Sequence, residues 1–493
     1  MASRRDQLHS YQFMMQRVVS SVMVHETDPE QHPLRRGVGA AFAGVMVAAL
    51  VAVAFGVYGV ISGNQAGRWQ EPGAIIIERE TGAHYVYLAD GSLQPVLNFT
   101  SAKLVSHLTA PSGEGRQGGL LGGLFGGGSN TSEPRRVASR NLVGLPRAAT
   151  VGIPGAPESL PAADRSVGTP WTLCSTLDTD PAGSPFTTTT LVVGRAPSGG
   201  SALGDQALLV EDSAAGDQFL IWRSHRYRLA SDEPEQLVRA LYGLQAEQVL
   251  AGTAWLNGLP AGQDLGPIEL PDRGDESSAV DGREIGAVVY HPVANGDQHY
   301  LVMDDGLAPL TELQLQLLHG QYQVEVEEIS AAAAAAAPGS SALAPARGEA
   351  APPPTAPELL PPPNGEVSSL CAETHDVESP PELTLGSEPA GNGAALPTWG
   401  ESAEGARLAD SVFVPPGEIA VVRSLPSASA PSGSFYLVTD LGIRYAVPSG
   451  DVLEVLGYTP DQAVDMPAAL VQRIPAGPTL TPQAAQQSAP VGS

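Results

Sequence analysis

Val38–Ile61 reads VGAAFAGVMVAALVAVAFGVYGVI and carries no charged side chain. As a helix rising about 1.5 Å per residue it reaches roughly 36 Å, enough to cross a hydrocarbon core of about 30 Å with some tilt. No later run in the 493 residues approaches it, so a single span is expected. A cleaved secretory leader is the rival reading, but residues 1–37 precede the run and the run is too long for a leader's apolar core. Arg4, Arg5, Arg17, Arg35 and Arg36 lie upstream, whereas only Arg68 and Arg79 follow within about twenty residues. That asymmetry places the N-terminus in the cytoplasm and everything after about Ser62 outside.

Within the span, Ala40, Gly44, Ala48, Ala52 and Gly56 recur every four residues. The stripe has two readings: a face where another helix packs closely, or the by-product of an Ala/Gly-rich segment. In the cytoplasmic arm, residues 1–37, Leu8, Tyr11, Met15, Val18 and Val22 follow helical spacing. Arg4, Arg5, Gln12, Gln16 and Arg17 fall largely elsewhere on the wheel. So short a helix cannot bury its own apolar stripe. It lies on the membrane or docks on a partner protein, and the partner is the preferred reading. Pro29 and Pro33 are expected to end it.

The chain has 53 acidic against 26 basic residues, a formal charge of −27, which argues against nucleic acid. Lys103 is the only lysine. The 55 glycines and 44 prolines make up about a fifth of the chain, well above ordinary usage, so long linkers are expected. Residues 111–136 read as a Gly-rich linker, 331–366 as an Ala/Pro-rich linker that is mobile or extended, and 477–493 as a tail.

Between these, a weak unit recurs four times, over 71–110, 205–262, 283–330 and 413–476. It consists of a β-type run, a tight turn, a second β-type run and a brief helix, a ββα-like pattern. Asp90-Gly91, Asp305-Gly306 and Asp440-Leu441-Gly442 mark turns, because glycine accepts the positive φ that such turns require. Ser231 or Asp232 and Ser449 are the expected helix caps. Residues 137–204 and 367–412 hold apolar runs and the two cysteines, and are expected to form a central β-core, making the class α+β. Cys174 and Cys371, an even count outside the membrane, are read as one disulfide joining the two halves of the outer region.

The search for chemistry is negative. There is no G-x-x-x-x-G-K-[ST] loop, and the glycine tract 118–128 lacks both the lysine and a preceding strand. There is no G-x-S-x-G elbow. His25-Glu26 lacks a histidine four positions after His25, and the cysteines lack metal-type spacing. His84, His291 and His299 read as surface or packing residues. No catalytic, cofactor-binding or metal-binding residues are assigned.

Several strings together resemble the EccB family, the single-pass membrane component of type VII (ESX) secretion systems of actinobacteria. They are RRDQLHSYQFMMQRV with HPLRR before the span, PVLNFTSAKLV, GIPGAP at 152–157, YLVMDDGL, VFVPPGEIAVVR through FYLVTDLGIRYAVPSGDVLEVLGY, and IPAGPTL. The paired cysteines are similar too. Departures are HETDPEQ at 25–31, Ala446 where proline is common, and long linkers. The resemblance implies an inner (cytoplasmic) membrane location and an elongated outer region of four repeats around a central core. It also implies self-association through that region and partnership with EccC, EccD and EccE-type subunits and a mycosin protease. An ATPase activity, with ATP as cofactor, is ascribed to the family, although the motif search finds no phosphate loop here.

Three functions follow for comparison: an assembly subunit of the secretion complex, a nucleotide hydrolase, and an envelope-binding or adhesion protein. The first is the leading expectation. The topology is checked by labelling intact cells with an impermeant thiol reagent: after reduction and denaturation, Cys174 should react, and shielding would place the body on the cytoplasmic side.

Overall fold

The computed structural model describes residues 3–23, 25, 35–63, 68–110, 133–244, 246–294, 296–361, 367–391 and 393–489. Helix α1 (Arg4–Met23) forms the arm and α2 (Arg35–Gly63) the span. Among the described residues one helix is long and apolar enough to cross a membrane, Val38–Gly56, and none of it is buried within the chain. Helix α1 stops before Pro29 and Pro33, which, with the break assigned to them, lie outside the described residues.

Repeat 1 comprises β1 (Ile75–Glu78), β2 (His84–Tyr87), β3 (Leu93–Val96), α3 (Phe99–Thr109) and β4 (Arg135–Val137). The chain then enters the core with β5 (Trp171–Thr179), β6 (Pro185–Val193) and β7 (Ser201–Ala202). Repeat 2 follows as β8 (Ala207–Asp212), β9 (Gln218–Trp222), β10 (His225–Arg228), α4 (Pro234–Tyr242) and β11 (Gln248–Ala251), and α5 (Thr253–Gly258) succeeds it. Repeat 3 is β12 (Val288–Val293), β13 (Gly296–Met303), β14 (Gly306–Leu310), α6 (Glu312–Gln321) and β15 (Val326–Glu328), with α7 (Ala331–Ala336) after it. The core resumes with β16 (Ser369–Thr374), β17 (Glu382–Leu385), β18 (Leu396–Pro397) and β19 (Ser411–Phe413). Repeat 4 is β20 (Ile419–Leu425), β21 (Ser434–Thr439), β22 (Arg444–Val447), α8 (Gly450–Leu456) and β23 (Val464–Pro467), then α9 (Ala468–Val471) and α10 (Pro482–Ala485).

The unit is therefore larger than ββα. Three antiparallel strands lead to a helix, and a fourth strand returns parallel to the first, in the same spatial order 3-2-1-4 in all four repeats. Asp90-Gly91 joins the second strand to the third, with Gly91 at φ 81°, and a separate turn at Gly82 (φ 74°) joins the first to the second. Strands of four residues carry too little alternation to be told apart from one longer run. Asn98, Thr311 and Ser449 cap their helices through side-chain oxygens, Ser449 as expected. In repeat 2 the cap differs from expectation: Glu233 precedes Pro234, and Ser231 Oγ instead accepts the Glu233 N–H.

Each unit has a further component that its alternation does not reveal. The free side of every third strand is covered by a short parallel segment that begins at a proline: Pro146, Pro260, Pro338 and Pro475. In all four, that proline's carbonyl accepts the N–H of a third-strand residue: Leu93, Arg226, Leu307 or Arg444. The amide two residues on (Ala148, Gly262, Ser340, Gly477) donates back to the same residue's carbonyl. Five residues after the proline comes an apolar side chain, Val151, Leu265, Leu343 or Leu480, that packs into a core. Proline tolerates the strand start because it has no N–H to leave unpaired. Gly262 and Gly477 are required by their neighbours, since a Cβ there would overlap the rings of Tyr227 and Tyr445.

These covers anchor a stretch read as linker and a stretch read as tail. Residues 331–361 are mostly exposed but tied down along their length: after α7, Gly339 bridges β14, Ala350 bridges Gly262, and Leu359 bridges β8. The Tyr227 hydroxyl donates to Ala351 O at 3.0 Å. The C-terminal segment is likewise anchored as far as Ala489, whose N–H bonds Thr150 O, and Leu480 and Ala485 are fully buried. Composition concealed both, because the ties run through backbone groups that any residue carries. The Gly-rich linker lies outside the described residues over 111–132, and its assigned end enters β4.

The central sheet has seven strands in the order β18-β19-β6-β5-β16-β17-β7. It joins chain segments on either side of repeats 2 and 3: β5 pairs antiparallel with β16, Cys174 opposite Cys371, and the two buried sulfurs are bonded at 2.05 Å. Shared buried clusters set the spatial order. Repeat 1 shares one with repeat 4, repeat 4 shares another with the sheet and repeat 2, and repeat 2 shares a third with repeat 3. The body is thus elongated, with repeats 1 and 3 at its ends.

Gly477→Ala should lower the stability of the body by about 1–3 kcal/mol, because the added methyl group has no room beside Tyr445. A thermal unfolding comparison checks this, with Gly168→Ala, an exposed site of ordinary backbone conformation with open space around it, as the control that leaves the Tyr445 junction intact.

Candidate interaction surfaces

Two junctions turn the repeats into one object. At the first, α3 of repeat 1 meets α8 of repeat 4. The chain's only lysine, Lys103, donates from Nζ to the Leu456 carbonyl at 2.7 Å, at the C-terminal end of α8. A cation at that end also complements the helix dipole. The ammonium lies over the Phe99 ring, 5.5 Å from its centroid, and burial lowers its pKa. Nearby, Tyr458 is almost wholly buried and donates to Pro161 O at 2.6 Å. Burial raises its phenol well above the ordinary 10.0, and raises that of Tyr445 as well.

At the second junction, α4 of repeat 2 packs on α6 of repeat 3 beneath the 338–361 segment. A cavity of about 300 Å³ remains there, lined by Gln263, Asp264, Glu269, Met303, Gln314 and Leu343 among others. Burial raises the carboxyl pKa of Asp264. Elsewhere, buried Arg473 donates to the carbonyls of Ala469 and Arg407, tying the chain before β19 to the end of α9. The bonds from Lys103, Tyr458 and Arg473 to Leu456, Pro161 and Arg407 join residues distant in sequence through backbone carbonyls that carry no residue signature, so local sequence does not reveal them.

No grouping of three or more His, Cys, Asp or Glu able to hold a metal occurs among the described residues. His84 lies 6.2 Å from Phe99, His299 5.7 Å from Tyr290, and His291 stacks on Tyr300 at 5.8 Å. On the arm, Leu8, Tyr11, Met15, Val18 and Val22 are all exposed, as are Phe13 and Met14 off that stripe. The arm's apolar surface is thus broader than a single row. Gly44, Ala48, Ala52 and Gly56 lie exposed along α2, with nothing within 4 Å of where a Cβ at Gly44 or Gly56 would stand.

Over residues 1–490 the chain matches the model of a family described as the type VII secretion system ESX-1 transport TM domain B, EccB. It is 26% identical to the ESX-3 secretion system ATPase EccB3 of Mycobacterium tuberculosis, over 97% of this chain and 88% of that protein. Its fold is similar to a chain in the structure of an intact ESX-5 inner membrane complex, with a TM-score of 0.55, 24% identity, and coverage of 100% and 96% of the two chains. It is also similar to the EccB3 dimer from the ESX-3 core complex, with a TM-score of 0.54, 22% identity, and coverage of 84% and 100%.

The raised phenol pKa of Tyr458 gives a signed pH prediction. The stabilisation it reports is complete below pH 10, the unfolded-state value, and is lost as pH rises toward the higher folded-state value. Tyr458→Phe should lower stability by about 1 kcal/mol at neutral pH through the lost hydrogen bond. The gap between variant and parent should narrow above pH 10, as thermal scans across pH 7–11 would show.

Proposed function

The chain belongs to the EccB family of type VII secretion system proteins, and from that premise we propose that it is a structural and assembly subunit of an inner-membrane export complex. It crosses the membrane once, with α1 in the cytoplasm and the body outside. The arm and span dock into the membrane part, beside EccC, EccD and EccE-type subunits, and the body joins other copies of itself. A mycosin protease is a further candidate partner of the body. One observation carries this reading: a broadly apolar helix with exposed Leu8, Tyr11, Phe13, Met14 and Met15 is joined through a single span to a long body welded from four repeats. A rigid body attached to an unsatisfied apolar foot suits a part that positions neighbours.

A nucleotide-hydrolase reading is kept because the relative's printed name includes the word ATPase. The lysine that a phosphate loop needs would have to be Lys103, which is engaged with Leu456 O between two repeats. No cofactor is therefore assigned. The two readings separate cleanly. Deleting residues 3–23 should detach the protein from its membrane partners in a detergent pull-down, and undiminished recovery would count against the assembly role. Hydrolysis of ATP by the purified chain that survives every purification step and disappears on a point mutation would establish the alternative.

A further inference from the structure

The fourth strand of each repeat brings a sheet edge with it, and the four equivalent edges have different fates. In repeat 2, β11 lies against β5, and Val249 and Ala251 enter the central cluster. In repeat 4, Met466 of β23 enters the same cluster and Val464 packs against it. In all four repeats the fourth strand ends its sheet among the described residues, but in repeats 1 and 3, at opposite ends of the body, β4 and β15 contribute nothing to the central cluster.

These two edges carry opposite charge. On the first, Arg135 and Arg136 of β4 stand with Arg79, which donates to the Arg136 carbonyl, and with Arg140; exposed Glu80 and Glu133 flank them, but none of the four arginines has a carboxylate within ion-pair distance among the described residues. On the second, Glu325, Glu327 and Glu328 are all exposed. Arg283 pairs with Glu327, and Glu328 lies within 3.5 Å of the Tyr290 hydroxyl. Glu328, then desolvation and Asp297, raise the Tyr290 pKa, so the carboxylates there contribute a negative potential. Around it, residues 268–343 contain two arginines and thirteen carboxylates.

We propose that the arginine edge of repeat 1 in one copy docks on the glutamate edge of repeat 3 in the next. Two copies of a chain with net charge −27 repel over most of their surface, so contact requires a patch where the sign is reversed. Repeat 1 supplies that patch, and the partner edge comes from the equivalent strand of an equivalent unit, three residues long in both cases. Because the two patches differ, the contact either forms twice in an antiparallel two-fold pair or runs head-to-tail, closing into a ring if the rotation permits and otherwise propagating. The inference rests on the assembly reading and deepens it by naming the surfaces that copies share.

The test uses the full-length chain in detergent at low salt, with mass photometry across a dilution series. Arg135→Glu/Arg136→Glu should raise the dissociation concentration about tenfold or more, and so should Glu325→Arg/Glu328→Arg, which leaves the Arg283–Glu327 pair intact. Combining all four substitutions restores complementarity with the signs exchanged, and association should recover. In parallel, Arg136→Cys with Glu328→Cys in one chain should give a disulfide-linked dimer or ladder that neither single variant gives. Unchanged association in both charge-reversed variants, or impairment in each without recovery in the combination, would overturn the proposal. So would loss of binding to anionic phospholipid vesicles by the arginine variant alone, since the membrane would then be the occupant of that edge. A parent chain that stays monomeric throughout would instead remove the assembly reading on which the proposal stands.

Discussion

Strand β5 comes from the first half of the chain and β16 from the second, yet they lie side by side, with Cys174 bonded to Cys371 across the pair. All of repeats 2 and 3 is looped out between them. Closing a loop with a separation of 197 residues has an entropic cost of about 5 kcal/mol, and the covalent bond shifts that cost onto the unfolded chain. Once this seam exists, repeat 2 is delivered to one part of the sheet's cluster and repeat 4 to another. The outer repeats then have only the remaining faces of their neighbours to bury against.

Edge management explains why so much low-complexity chain is ordered. A three-stranded unit leaves an open edge on each side, and an open edge invites unwanted pairing. The fourth strand takes one side and the proline-led segment takes the other. The same segments then continue onto the neighbouring repeat, so that one stretch of backbone covers an edge and ties two units together. The stretch from Pro338 to Leu360 does this for repeats 3 and 2, and the stretch from Pro475 to Ala489 does it for repeats 4 and 1.

Parts of this were open to reading in advance because they rest on local physics. Twenty-four apolar residues between an arginine-rich flank and an arginine-poor one specify a span. Asp-Gly dipeptides specify tight turns whatever surrounds them, and Ser449 caps its helix through a bond within its own turn. The proline covers were also present as a signal, Pro followed five residues later by Val or Leu. Its meaning is not local, because it depends on a strand 31 to 53 residues earlier whose edge needs a partner. The charge on the terminal edges was visible in the letters, but not the fact that those two fourth strands, unlike the other two, lie away from the central cluster.

By itself, then, the sequence determined one membrane span and its flanks, four repeating units, a single pair of cysteines and the lack of a phosphate loop, since each is a property of short stretches or of counting. Tertiary structure alone decided that repeat 1 adjoins repeat 4 and repeat 2 adjoins repeat 3, that the alanine- and proline-rich segments are girders, and that Lys103 belongs to a junction. Those outcomes depend on which buried faces match in shape and on which carbonyls remain unpaired after the units have folded, and neither quantity exists until distant parts of the chain come together.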